Sequence, residues 1–259
     1  MTAAATQRHD PIRERYFRAV ERAERAAMVL FYVAAVLSFA VFLVTKEAHP
    51  VAFAITQIGF ILAVADLFVV DLGIRLYWSP SAADERRLDL LSNAYHVPLT
   101  HEQTIGYYNN DETDPLRRLG AAVLENSLFS RGISLAMLKN TRIQIAAYVV
   151  LLVVVWLIRS TDLAVAATAA LVVFSEHILS RWLRLEWFRM RCHATYKGLY
   201  ALFQTAPART TLHPSVLQWF AFYETSKANA GVTLSTKVFN ALNPSLSSEW
   251  DAIKAKLNL

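Results

Sequence analysis

Four long apolar runs constrain this chain more than any motif: 26–45 ("AAMVLFYVAAVLSFAVFLVT"), 51–72, 143–158 ("IQIAAYVVLLVVVWLI") and 163–180 ("LAVAATAALVVFSEHILS"). Each is about the length that a hydrocarbon core of roughly 30 Å asks of a helix. Charged residues make up only 18% of the 259, against about a quarter in a soluble domain, and the mean hydropathy is +0.30. The expected fold class is all-α: a polytopic membrane protein with two transmembrane hairpins, four transmembrane helices, and a helical cytoplasmic domain.

The connections "KEAHP" (46–50) and "RSTD" (159–162) leave room only for tight antiparallel turns. Basic residues set the orientation. Arg13, Arg15, Arg18, Arg22 and Arg25 precede the first run, Arg75, Arg86 and Arg87 follow the second, and Arg181, Arg184, Arg189 and Arg191 follow the fourth, while the turns carry only Lys46 and Arg159. By the positive-inside tendency both termini and the central insert face the cytoplasm. The first run is too long for a cleavable signal, follows a long polar stretch and lacks a small-residue cleavage site. The single Cys192 forms no internal disulfide.

These features divide the chain into a basic amphipathic helix (1–25), hairpin one (26–75), a cytoplasmic helical insert (76–142), hairpin two (143–180) and a helical C-terminal region (181–259). Asp10 and Pro11 cap the first helix, in which Tyr16, Val20 and Ala23 share a stripe suited to lying on an anionic leaflet. In the insert, Pro80 and Asp84 open one helix, and Asp114 with Pro115 opens another. That second helix has an apolar face of Leu116, Leu119, Val123, Leu128 and Leu135 or Leu138, and an opposite side of Arg117, Arg118, Glu125 and Arg131. Between the two helices lies the loop "VPLTHEQTIGYYNND", with paired Tyr107 and Tyr108. Nothing from 163 to 205 stops a helix except the lone Gly198, tolerated at about 1 kcal/mol, so the fourth helix runs on beyond the membrane. Trp219, Phe220, Phe222 and Trp250 read as core of a closing module.

A few polar residues interrupt the apolar runs. Asp66 lies about 22 Å from the start of the second run, and Glu176 and His177 lie about 20 Å into the parallel fourth, so they share a depth. A satisfying Asp66–His177 pair and a functional polar site are both open. Asp71 pairs readily with Arg75, four residues on. Asp66 and Asp71 stand about 140° apart on one helix, whereas Gln57, Val64 and Asp71 share a seam, either a helix contact or the wall of a water path.

Catalytic signals are absent: there is no phosphate-cradling glycine loop and no CxxC, HExxH or GxSxG pattern. No catalytic residue, metal ligand or cofactor is assigned, and four spans without Gly or Pro breaks offer no usual transporter site.

The stretches "LDLLSNAYHVPLT", "IGYYNND", "LGAAVLENSLFSRGISLAML" and "YETSKANAG", set between and after two membrane hairpins, resemble the four-transmembrane effector domains associated with bacterial nucleotidyltransferases of the SMODS class. The resemblance covers nearly the whole chain. It implies antiviral defence, in which a nucleotidyltransferase-derived nucleotide or single-stranded oligonucleotide signal is sensed and a homo-oligomer, a tetramer or similar, forms a pore in the lipid bilayer that stops growth. For such a signal, Tyr107 or Tyr108 would stack on bases while Arg117, Arg118 and Arg131 contact phosphates. A pI of about 9.4 suits a polyanion. The alternatives are a non-conducting scaffold that recruits a partner, and an intramembrane enzyme or transporter.

Overall fold

The computed structural model describes residues 9–158 and 162–259. Among them the regular structure is helical, with one isolated bridge between His9 and Ile105. Six helical segments follow one another: α1 (Arg13–Leu43), α2 (Pro50–Tyr95), α3 (Pro115–Leu157), α4 (Leu163–Thr205), α5 (Arg209–Ala230) and α6 (Thr236–Leu257). The first four are long and apolar enough to cross a membrane. The all-α membrane architecture expected from the four runs is therefore present.

Two helices begin or continue where the sequence suggests a division. Asp10 does cap α1, its carboxylate accepting from the Arg13 amide at 3.0 Å, but the amphipathic stretch and the first apolar run form one helix. No new helix opens at Pro80: α2 continues to Tyr95 through a wide π turn over Ile74–Trp78. Such a turn alters the regular bonding pattern just where proline lacks an N–H and crowds the preceding turn.

The chain divides into two compact units. A polar unit comprises the segment up to Arg18, Ser79–Leu138 and Arg184–Leu259. The first half of α3 is its centre: Leu119, Ala121, Ala122, Val123, Leu124 and Leu128 are all at most 1% exposed, as expected of a helix packed on several faces. Around it lie Leu90 of α2, Phe188 and Leu199 of α4, Val216 of α5 and Trp250 of α6. Leu138 rather than Leu135 is buried, and Glu125, expected on the solvent side, is 6% exposed. Gly198 has a packing reason: a Cβ there would overlap the Trp219 ring. Gly231 ends α5 at φ +52°, its N–H reaching the Lys227 carbonyl at 3.2 Å, the left-handed cap that glycine adopts without steric cost.

The apolar unit comprises Ala19–Trp78 and Lys139–Leu183. Phe31, Ile145 and Ile178 form its buried centre, with Met28, Leu67, Tyr148, Val172, Leu179 and Trp182 packed against them. The outward surface carries Val36, Ile55, Phe68, Val150 and Leu171, an apolar exposure that lipid accommodates and water does not. The expected first hairpin is present: the His49 amide reaches the Thr45 carbonyl at 3.0 Å and Pro50 begins α2. Of the second expected turn, residues 159–161 lie outside the described residues; Asp162 caps α4 through the Ala164 amide at 2.8 Å.

Candidate functional site

Asp71, Arg75, Glu176 and His177 of the apolar unit come together where α4 is interrupted. The regular helix ends at Val173, Phe174 has ψ 7°, Ser175 is extended at ψ 165°, and a π turn over Glu176–Ser180 restarts the helix. The expectation of an unbroken span is thus overturned without any Gly or Pro. Its signal lies in Ser175–Glu176, a cap-type residue followed by an acid in the first turn. Irregular backbone at membrane depth needs protein or water around it.

At that restart, His177 Nε2 lies 3.0 Å from Asp71 Oδ2 of α2, and Arg75, one turn further along α2, is ion-paired with Glu176. The His177 ring also lies 5.1 Å from the Phe31 ring of α1. One turn on, Arg181 Nη2 lies 3.4 Å from Glu24 Oε2. Tyr32 and Tyr148 join α1 to α3 through hydroxyls 3.2 Å apart.

This geometry corrects two expected pairings. His177 meets Asp71 and not Asp66, and Arg75 turns away from Asp71 to a carboxylate on another helix. Asp66 and Gln57 are exposed, and Asp66 has no hydrogen-bond or ion-pair partner among the described residues. The Gln57–Val64–Asp71 seam is therefore engaged at its Asp71 end, while Val64 is 43% exposed.

In the polar unit the loop between α2 and α3 is organised by buried carboxylates. Asp89, 3% exposed, accepts from the Thr104 amide at 3.1 Å, the Thr104 hydroxyl at 2.8 Å and the Tyr108 hydroxyl at 3.2 Å. Burial, then the charge on Asp89, pushes the Tyr108 phenol up from its ordinary value. Arg86 donates to both oxygens of Asp10 at 2.8 Å and stacks 4.2 Å above the Tyr107 ring. The Asn109 amide donates to Glu125 at 3.1 Å, and its carbonyl accepts from the Trp250 indole at 2.9 Å. Asp114 accepts from the Leu116 and Arg117 amides at 3.1 and 2.9 Å, the cap its place before Pro115 predicts. The Arg117 amide, with Arg209 adding to it against the cost of burial, holds that carboxyl below the usual range.

The candidate ligand residues are occupied within the chain. Tyr107 meets Tyr108 edge-on with ring centres 4.9 Å apart. Arg117 donates to Glu112 at 2.6 Å and to the Asn258 carbonyl at 3.1 Å. Arg118 donates to Asn93 at 3.0 Å and to the Glu112 carbonyl at 3.1 Å. Arg131 reaches Glu249 at 3.4 Å and lies 4.4 Å above the Tyr196 ring. Arg117 also borders a cleft of about 250 Å³ with Phe203, Gln204 and Lys256. Sequence reasoning passed over Asp89, Arg86 with Asp10, and Glu24 with Arg181. The signal for the first was the spacing of Arg86 and Asp89, three residues apart on one helical face.

No family model, no curated protein and no solved structure matches this chain.

Proposed function

We propose that the chain is the membrane effector of a bacterial antiviral system, a homo-oligomeric ion channel of the inner membrane with both termini cytoplasmic. A nucleotide or short oligonucleotide made by a partner nucleotidyltransferase gates it through the polar unit, and depolarisation then arrests growth. The observation that carries conduction is Asp66. It sits sixteen residues into α2, exposed among exposed apolar neighbours, Leu62 at 57% and Phe68 at 66%. A carboxylate facing hydrocarbon is too costly to keep, whereas facing a water-filled lumen enclosed by further copies removes that cost. The signal rests on the resemblance noted above, and the orientation on the placement of the arginines.

A second reading, a non-conducting scaffold, is favoured by the engagement of Arg117, Arg118 and Arg131 in contacts within the chain. Expression in bacteria with and without a candidate nucleotidyltransferase, followed by a voltage-sensitive dye and by growth, separates the two. Depolarisation that the partner raises or lowers is the expected result. No depolarisation in any combination, with membrane insertion verified, overturns conduction and favours the scaffold.

A further inference from the structure

Within the polar unit, Arg117, Arg118 and Arg131 have partners in the chain, but a second set of cations is less fully matched. From Trp187 to Thr205, α4 contains no acid. Arg189, His193 and Lys197 follow one another at four-residue steps along one face, about 6 Å apart. Neighbouring helices extend this row. The charges acting on His193 are those of Lys197, Arg131 of α3 and Arg189, and α6 brings Lys256 to 5.7 Å from the centre of the Tyr200 ring. Two carboxylates answer them: Glu186 lies 3.3 Å from Arg189, and Glu249 lies 3.4 Å from Arg131. Lys197 is exposed, without a hydrogen-bond or ion-pair partner among the described residues. Lys256, also exposed, hydrogen-bonds the Tyr200 phenol. Like charges four residues apart destabilise a helix, so an anion laid along this face stabilises it.

The aromatic residues beside the row hold its cations in place. Tyr196 and Tyr200 have ring centres 5.9 Å apart, and the Arg131 guanidinium lies 4.4 Å above the Tyr196 ring. A guanidinium stacked on a ring keeps its in-plane N–H donors available to phosphate. Beyond Tyr200 the row reaches the cleft that Lys256 shares with Arg117, Phe203 and Gln204, and no carboxylate lines it among the described residues. We propose that this row on α4, with Arg131 and Lys256, binds the phosphodiester backbone of a short single-stranded oligonucleotide. The ligand class rests on the function proposed above; the place of binding rests on the row. Successive phosphates meet Arg189 with Arg131, then His193 with Lys197, then Lys256. His193 has an N–H to donate in either protonation state. A line of cations along one helix fits a strand better than the broad plane of a headgroup layer. Backbone contacts carry no sequence information, so different bases bind alike, and a single phosphate engages too few cations to bind well.

The experiment is fluorescence anisotropy of fluorescein-labelled tetra-adenylate and tetra-uridylate with the full chain in phosphatidylcholine nanodiscs, titrated with salt. Both probes are expected to bind with similar affinity, and adenosine monophosphate to compete poorly. Lys197→Gln and Lys256→Gln, at exposed positions, should each weaken both probes about tenfold and lower the slope of log affinity against log salt by about 0.7. Lys237→Gln, an exposed lysine of α6 outside the row, should change neither. The proposal falls if neither probe binds, if adenosine monophosphate competes as well as the tetranucleotides, or if the Lys197 and Lys256 variants match Lys237→Gln. It falls also if Lys197→Gln weakens retention of phosphatidylglycerol while the oligonucleotides go unbound, since the row then serves the bilayer. Probe binding on the row in a protein that never conducts would keep this site and remove conduction. Depolarisation controlled by the nucleotidyltransferase, with no binding on the row, would remove this site alone.

Discussion

In the polar unit Asp89 is enclosed by three donors from the loop that follows α2 and sits in the unit that holds the large hydrophobic core. In the apolar unit Asp71 and Glu176 reach across to side chains of another helix, while much of the surrounding surface is apolar and outward-facing. The difference follows from the solvent. In water, burial of Leu119, Leu128 and Trp250 supplies cohesion at about 25 cal/mol per Å², and polar networks select one arrangement. Between helices in lipid that drive is missing, because the tails are as apolar as leucine, and packing with interhelical hydrogen bonds carries the association.

The comparison is broken most severely at Asp89. Asp89→Ala leaves the Thr104 amide and the Thr104 and Tyr108 hydroxyls without their acceptor and removes the carboxylate 3.9 Å from Arg86. Loss of one partner from a buried charged network costs about 3–5 kcal/mol. Thermal unfolding of the purified protein is expected to show a large downward shift, with loss of protection of the 97–114 loop in hydrogen exchange. A shift of under a degree would mean that the loop is held by its packing alone.

A smaller effect is expected from Tyr32→Phe in the apolar unit. It removes the hydroxyl 3.2 Å from that of Tyr148 and keeps the ring against Phe31. Interhelical hydrogen bonds in membranes average about 0.6 kcal/mol, because the separated helices also find partners. Unfolding in mild detergent should register a change of that size. A cost as large as that of Asp89→Ala would erase the contrast between the units.

The four runs, the first turn and the Asp114–Pro115 cap were legible because each depends on local rules: length, connection and the residue before a helix. What was not legible depends on register between distant helices. Arg75 has an acid four residues before it, and the local rule favours that pair, yet the rotation of α2 against α4 delivers it to Glu176. The sequence likewise displays Arg117, Arg118 and Arg131 as free cations, while their acceptors, Glu112, Asn93 and Glu249, become neighbours only through the loop or other helices. The break at Ser175 escaped because no Gly or Pro marks it. The lone Gly198, which looked like mere tolerance, is the space that Trp219 fills.

Asp66 offers the smallest effect on stability and the sharpest test of how the apolar unit is used. Its carboxylate touches no partner among the described residues, so Asp66→Asn removes no contact within a single chain. Changes away from packed or paired positions fall within about 0.5 kcal/mol. If copies of the chain enclose a lumen, the same change removes a ring of negative charge from its wall, and such rings favour cations. Single-channel or liposome flux recordings should then show a reduced cation-to-anion preference in a protein whose melting and assembly are unchanged. If instead Asp66 meets a cation on a neighbouring copy, Asp66→Asn weakens the oligomer itself, and cross-linking reports the loss before any flux does. Unchanged flux, selectivity and assembly would remove Asp66 from the pore and, with it, the observation on which conduction rests.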